Sequence, residues 1–232
     1  MVRFGAPSPK AFIEKLAAND AATTTVDLSA PPRPGACMPH RRETLPARTA
    51  GNNALFKMKS YEYMGQIAEA MKSNTVCTEL ILKQNDITNA DCEHIKTLLL
   101  NNKTLTSLNL EANKIDSEGS TAIAEGLKGN SSLTTLILLG NGPFGEACMD
   151  AWLAAFNDNV TMVNLKWRLD SRKSFALNKS ITRNNSIVRW KKDGKDWESL
   201  LPDHLKPEKP AEASGAAAEA QATPDIEKKI AA

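Results

Sequence analysis

Residues 105–115 read LTSLNLEANKI, and the chain returns to that rhythm 28 residues earlier and 28 residues later. CTELILKQNDI (77–87) sets Cys77, Leu80, Leu82, Asn85 and Ile87 in the slots of Leu105, Leu108, Leu110, Asn113 and Ile115. LTTLILLGNGPF (133–144) does the same with Leu133, Leu136, Leu138 and Asn141, and Phe144 closes one residue late. VTMVNLKW (160–167) supplies Val160, Val163 and Leu165, 27 residues from Leu136 to Val163, and has no asparagine to follow. A fixed period in this range is the mark of a solenoid.

Between these segments the spacing changes to threes and fours. Ile95, Leu98 and Leu99 lie on one helical face, as do Ile123 and Leu127, and Cys148, Trp152 and Phe156. DSEG predicts a helix start with Ser117 as the N-cap and Glu118 in the first turn. Asn102, Asn130 and Asn159 are expected to end their helices. Each unit is therefore a short strand, a turn and a helix. Leucines at slots one, four and six all face inward only where the chain bends around a narrow arc. One unit cannot bury them alone, and stacked units share one core. The slot-nine asparagine can bond backbone groups that would otherwise be buried unpaired.

This is the pattern L-x-x-L-x-L-x-x-N-x-L, and it resembles the leucine-rich repeat of the ribonuclease-inhibitor type. The resemblance implies an α/β right-handed solenoid, a curved parallel sheet inside and helices outside, of about six or seven units. Upstream, 11–30 reads as a helix (Phe12, Ile13, Leu16) and a strand (Val26, Leu28), with Asn19 aligned to Asn74. Residues 54–59 read as a degenerate strand, 61–74 as a helix, 168–185 as a helix with Phe175, Leu177 and Ile181, and 186–190 as a last strand. The repeat domain is expected over 1–205, with an irregular insertion at 30–53 carrying five prolines and a cap at about 186–205. Trp167, Trp190 and Trp197 are expected to build that cap. Residues 206–232 form an Ala/Pro/Glu-rich tail with almost no large apolar side chains.

TLTSLNLEANKID (104–116), NSSLTTLILLGN (130–141) and SRKSFALNKSITRNNSIVRW (171–190) are similar to the C-terminal repeat domain of tropomodulins, the actin pointed-end cappers. The similarity covers roughly 11–190, and the insertion at 30–53 has no counterpart in that pattern. It implies actin as a partner and places the contact on the terminal helix at Arg172, Lys173, Lys179 and Arg183.

Composition narrows the function classes. Lys+Arg is 29 against Asp+Glu 27, a formal charge of +2, which is no nucleic-acid footprint. Cys37, Cys77, Cys92 and Cys148 form no C-x-x-C pair, so zinc has little support, and they read as reduced thiols of an intracellular protein. No apolar run reaches membrane-span length. His40, His94 and His204 stand apart from any nucleophile motif and read as surface or packing residues. GNGPFG (140–145) lacks the G-K-[ST] ending of a phosphate loop and reads as a lengthened turn. No catalytic set, cofactor or metal is expected.

The sequence points instead to the inner sheet, where Glu79, Ile81, Lys83, Asn109, Glu111, Ile137, Leu139, Met162 and Asn164 alternate with the inward leucines. Ile81, Ile137, Leu139 and Met162 are apolar where solvent would favour polar side chains, the composition of a docking patch. His40, Arg41 and Arg42 make the insertion locally basic. These features predict a non-enzymatic protein-interaction module, a scaffold or accessory subunit of a larger cytoplasmic assembly, cytoskeletal or axonemal. The alternatives are a tropomodulin-like actin-binding protein and a regulator or inhibitor of an enzyme.

Overall fold

The computed structural model describes residues 8–29, 53–168 and 171–207. Its elements are α1 (Pro9–Ala17), β1 (Thr25–Asp27), α2 (Asn53–Met58), α3 (Ser60–Ser73), β2 (Glu79–Ile81), α4 (Asn89–Asn101), β3 (Ser107–Asn109), α5 (Ser117–Lys128), β4 (Thr135–Ile137), α6 (Glu146–Asp158), β5 (Asn164–Lys166) and α7 (Ser174–Lys192). Two 3-10 turns follow, at Glu198–Leu200 and Asp203–Leu205. The strands form one parallel sheet in chain order, β1-β2-β3-β4-β5. Each neighbouring pair is joined through a helix, as parallel strands require. Five strands are present among the described residues, against six or seven expected units. The insertion at 30–52 and the tail from 208 lie outside the described residues.

The middle of the solenoid follows the sequence pattern. Val26, Leu80, Leu108 and Leu136 sit side by side in register, and all four are fully buried. The helices close over them with Leu16, Ile67, Ile95, Ile123 and Trp152. The last unit departs from expectation. Leu136 pairs with Leu165, not Val163, so the step is 29 residues. The added residue in the 140–145 turn lengthens the unit, seating Phe144 in the core at zero exposure. Met162 consequently takes the first slot, buried, and leaves the inner face.

What holds successive units together is a ladder of buried asparagine amides. Asn102 Nδ2 donates to the carbonyls of Met71 (2.7 Å) and Asn74 (3.1 Å), while its Oδ1 accepts from the N–H groups of Thr104 (2.9 Å) and Leu105 (2.7 Å). Asn130 repeats this on Leu99, Asn102, Ser132 and Leu133, and Asn159 on Leu127, Asn130, Thr161 and Met162. An amide carries two donors and one carbonyl acceptor, so one side chain satisfies the end of the previous helix and starts the next strand. At the N-terminal end, the register places Asp20 rather than Asn19 opposite Asn74. Asp20 Oδ1 accepts from Ala22 N–H (3.1 Å). A carboxylate serves the acceptor half of the ladder alone.

Three local expectations change. Residues 53–58 are helical, the short α2, where a strand was expected. Asp116, not Ser117, caps α5, with its carboxylate on Glu118 N–H (2.8 Å). Residues 186–190 continue α7 instead of forming a strand. Asn184 reaches the ladder from inside that helix, so the chain has no need to turn there.

Candidate functional site

The inner sheet offers less than its alternation promised. Lys83 Nζ and Glu111 Oε1 pair across two units at 2.7 Å. Asn109 Oδ1 is engaged by Glu111 N–H at 2.9 Å. Ile81 is 8% exposed and Met162 fully buried, so neither is available to a partner. Glu79 and Asn164 are half-buried. What remains apolar and accessible is the pair Ile137, half-buried, and Leu139, 40% exposed. That is too small to carry an interface alone.

The C-terminal cap is different in kind. From 166 to 195 ten lysines and arginines stand against two aspartates, a local charge of +8. From 104 to 165 two lysines stand against seven acids, a local charge of −5. The whole-chain sum of +2 conceals both, and a windowed count along the sequence would have shown them. α7 buries Leu177, Asn184 and Ile187 against the last unit. Its opposite face presents Phe175, Lys179, Thr182, Ser186 and Arg189, at spacings of four and three that place them in one row. Phe175, expected in the core, is 80% exposed. It lies two residues from Leu177, and 200° of helical rotation separates the two side chains.

The four sequence-predicted residues of this region divide. Lys179 is exposed in the outward row. Lys173 pairs with Asp150, whose carboxylate raises the lysine's pKa. The Arg172 N–H donates to Glu146 Oε1 (3.0 Å), which also accepts from Ser171 Oγ (2.7 Å), and the Arg172 side chain is exposed at the start of the cap. Arg183 is half-buried and turned into the stack. Its Nη2 donates to the carbonyls of Phe156 (2.7 Å) and Asn159 (3.2 Å), and Nε and Nη2 both reach Asn184 Oδ1. Asn184 Nδ2 in turn serves the carbonyls of Asn159 (3.1 Å) and Met162 (2.9 Å). Phe156 C=O is the group that the asparagine of a further unit would take. Arg183 thus closes the ladder, and burial pushes its guanidinium pKa down. His40, Arg41 and Arg42 lie outside the described residues.

The aromatic side chains also sort by position. Trp167 packs against Phe144 and Trp152, at 5.5 and 4.8 Å between ring centroids, as part of the last unit. Lys191 sits 3.9 Å over the ring of Trp197, tying the 3-10 turns back to α7. His204 Nε2 meets Asp158 Oδ1 at 2.9 Å, and His94 packs on Tyr61 at 4.4 Å. Both histidines are occupied in packing or surface contacts. Among the described residues no three His, Cys, Asp or Glu side chains are grouped to hold a metal ion, and no helix is long and apolar enough to cross a membrane.

A family model described as "Leucine Rich repeat" matches residues 101–124, the turn of one unit into the next. Together with the strand register and the asparagine ladder, that match gives the fold: the described residues form a leucine-rich-repeat solenoid. The repeat chain is 32% identical over 104 residues to "NACHT, LRR and PYD domains-containing protein 9" of Bos taurus, a match covering 43% of this chain and 10% of that relative. The shared part is thus a tenth of the relative's length. Among solved structures, the repeat chain superposes on the tropomodulin C-terminal domain of Caenorhabditis elegans with a TM-score of 0.63 at 15% identity, covering 82% of this chain and all of that one. It also superposes on "Leiomodin-1 Actin-Binding Site 2 (ABS2)" with a TM-score of 0.60 at 23% identity, covering 82% and 96%. The fold of the described residues is that of the tropomodulin C-terminal domain.

Proposed function

We propose that this chain is a non-enzymatic docking module, a scaffold or accessory subunit of a cytoskeletal assembly, and that its C-terminal cap meets the partner. The observation that carries the reading is the outward row of α7. A phenylalanine 80% exposed stands one turn from Lys179, in the row that ends at Arg189, within a segment of net charge +8. An exposed aromatic among cations suits a partner surface that is acidic and holds an apolar pocket. Filamentous actin is the partner to try first, because the leiomodin structure of the same fold is titled for its actin-binding site.

Full-length chain is co-sedimented with actin filaments at about 50 and about 200 mM salt, salt being the lever on a charge-led contact. The wild type is expected to pellet, less so at the higher salt. Phe175→Ala combined with Lys179→Glu is expected to weaken binding at least about tenfold, which needs only about 1.4 kcal/mol. No pelleting of the wild type would remove actin. Pelleting unchanged in the variant would move the contact off the cap. Arg183 is unsuitable as a test residue, since its reversal would break the ladder before any interface.

A further inference from the structure

The ladder asparagines carry a second pattern. Five Asn-x-Ser/Thr triplets occur in the chain, at Asn102, Asn130, Asn159, Asn178 and Asn184. Such a triplet is the acceptor for N-linked glycosylation and ordinarily marks a surface loop of a secreted protein. Here four of the five acceptors are the amides that join the units. Asn102, Asn130, Asn159 and Asn184 are 2%, 4%, 3% and 0% exposed. Only Asn178, on α7, is open to solvent.

The third residue of the triplet has a structural reason to be Ser or Thr. Thr104 Oγ1 donates to Asn74 C=O (3.3 Å), Ser132 Oγ to Asn102 C=O (3.5 Å) and Thr161 Oγ1 to Leu133 C=O (3.5 Å). The recurring triplet is therefore a by-product of how units are joined.

Glycosyl transfer would act on the same atom. The Nδ2–C1 bond to the sugar forms, the bond from C1 to the pyrophosphate of the lipid-linked oligosaccharide breaks, and Nδ2 gives up one proton. An amide that donates two hydrogen bonds to buried carbonyls would keep one donor, and a bulky glycan would stand where the next unit must pack. Transfer takes place on the unfolded chain, before burial could protect the amide.

We propose that these four triplets are ladder joints and not glycan acceptors, and that the chain therefore folds only where N-glycosyl transfer does not reach, outside the secretory pathway. Its partners are then proteins outside that pathway, and ligands of its lumen or of the extracellular space are excluded. A separate observation agrees. Cys77, Cys92 and Cys148 are all buried and unpaired, as befits a reducing compartment. The inference does not depend on actin or on the cap being the docking surface.

Full-length chain is translated with a cleavable signal sequence in the presence of microsomes, beside the same chain without it, and both are challenged with trypsin. The imported chain is expected to gain glycans and lose its protease-resistant core. Import with glycosyl transfer inhibited is expected to restore that core. A second variant, Thr104→Val with Ser132→Ala, Thr161→Val and Ser186→Ala, keeps every ladder asparagine and removes the four triplets. If it folds in the cytosol, it is expected to resist trypsin in the lumen as well. An imported chain carrying glycans on Asn102, Asn130 or Asn159 with its core intact would overturn the proposal. So would an imported chain that escapes transfer and folds, or one that stays protease-sensitive when transfer is inhibited.

Discussion

The interior units and the C-terminal cap use the same joint under opposite conditions. Inside the stack, Asn130 bonds two carbonyls of the preceding unit and two N–H groups of its own, and a further unit covers it. At the C-terminal end no further unit follows α7 among the described residues. Asn184 makes the donor half of the joint from within a helix, and the acceptor half goes to Arg183, whose guanidinium also takes Phe156 C=O. An amide suits a position with buried backbone on both sides. A guanidinium, with five donors and a permanent charge, suits one with backbone on one side and water on the other. The end of the stack is thereby free of the strand rule, which is why the charge, the exposed Phe175 and the candidate docking surface are all found there.

The comparison is broken most severely at its centre. Asn130→Ala leaves the Leu99 carbonyl and the N–H groups of Ser132 and Leu133 without their partner, and leaves the Asn102 carbonyl only the Ser132 hydroxyl at 3.5 Å. At roughly 1–3 kcal/mol for each group that water cannot reach, the loss is about 4 kcal/mol or more, a large part of a typical domain's stability. Arg183→Ala at the margin of the cap should cost about 2 kcal/mol, because water can serve the freed Phe156 carbonyl and Asn184 Oδ1, while Asn184 Nδ2 still holds the Asn159 carbonyl. Urea melts of the two variants measure both. If Arg183→Ala costs as much as Asn130→Ala, the cap is a joint like any other and the contrast fails.

Much of this was legible in the sequence, and the limits were physical. Leu80, Leu108 and Leu136 could be placed because their 28-residue step is kept through strand and helix alike. Asn102, Asn130 and Asn159 could be placed at the helix ends, though as joints between units and not as left-handed caps. The last unit slipped because Val160, Val163 and Leu165 mimic the slots that Met162, Leu165 and Trp167 occupy. Only the pairing of Leu165 with Leu136 resolves the two. The site was less legible. Ile81 alternates outward in sequence yet is covered in space. Arg183 reads as a surface cation, because its role depends on carbonyls that the helix of the last unit leaves open. Phe175 reads as core until the helix phase is fixed by Leu177 and Asn184.

A milder probe uses pH. Burial pushes the Cys77 thiol up from 9.0 to about 11, and raises those of Cys92 and Cys148 as well. These thiols stay protonated in the folded chain after the unfolded chain has begun to lose their protons. Stability is thus full below pH 9 and falls above it. For Cys77 alone the slope is about 1.4 kcal/mol per pH unit up to about pH 11. Interior Cys77→Ala should flatten the alkaline limb of a thermal melt taken against pH, at some cost in packing at neutral pH. An unaltered limb would mean that Cys77 exchanges with solvent without unfolding.

The smallest effect tests the turns between strand and helix. Gln84, Ala112 and Gly140 occupy the same slot of successive units with φ of 60°, 55° and 73°. Only the last is a residue that adopts this conformation without strain. An L-residue there costs about 1–2 kcal/mol, and glycine gives back roughly half of that through the greater freedom of the unfolded chain. Ala112→Gly is therefore expected to raise stability by about 0.5–1 kcal/mol, a shift of a few degrees in Tm. The Cβ of Ala112 also lies beside Gly140, where a Cβ built on the glycine would come within 3.4 Å of it. The reverse change, Gly140→Ala, must then meet both strain and contact and should destabilise by more than Ala112→Gly stabilises. Equal and opposite shifts would mean that φ alone sets the turn. Unequal shifts would show that the units are packed turn on turn as closely as they are strand on strand.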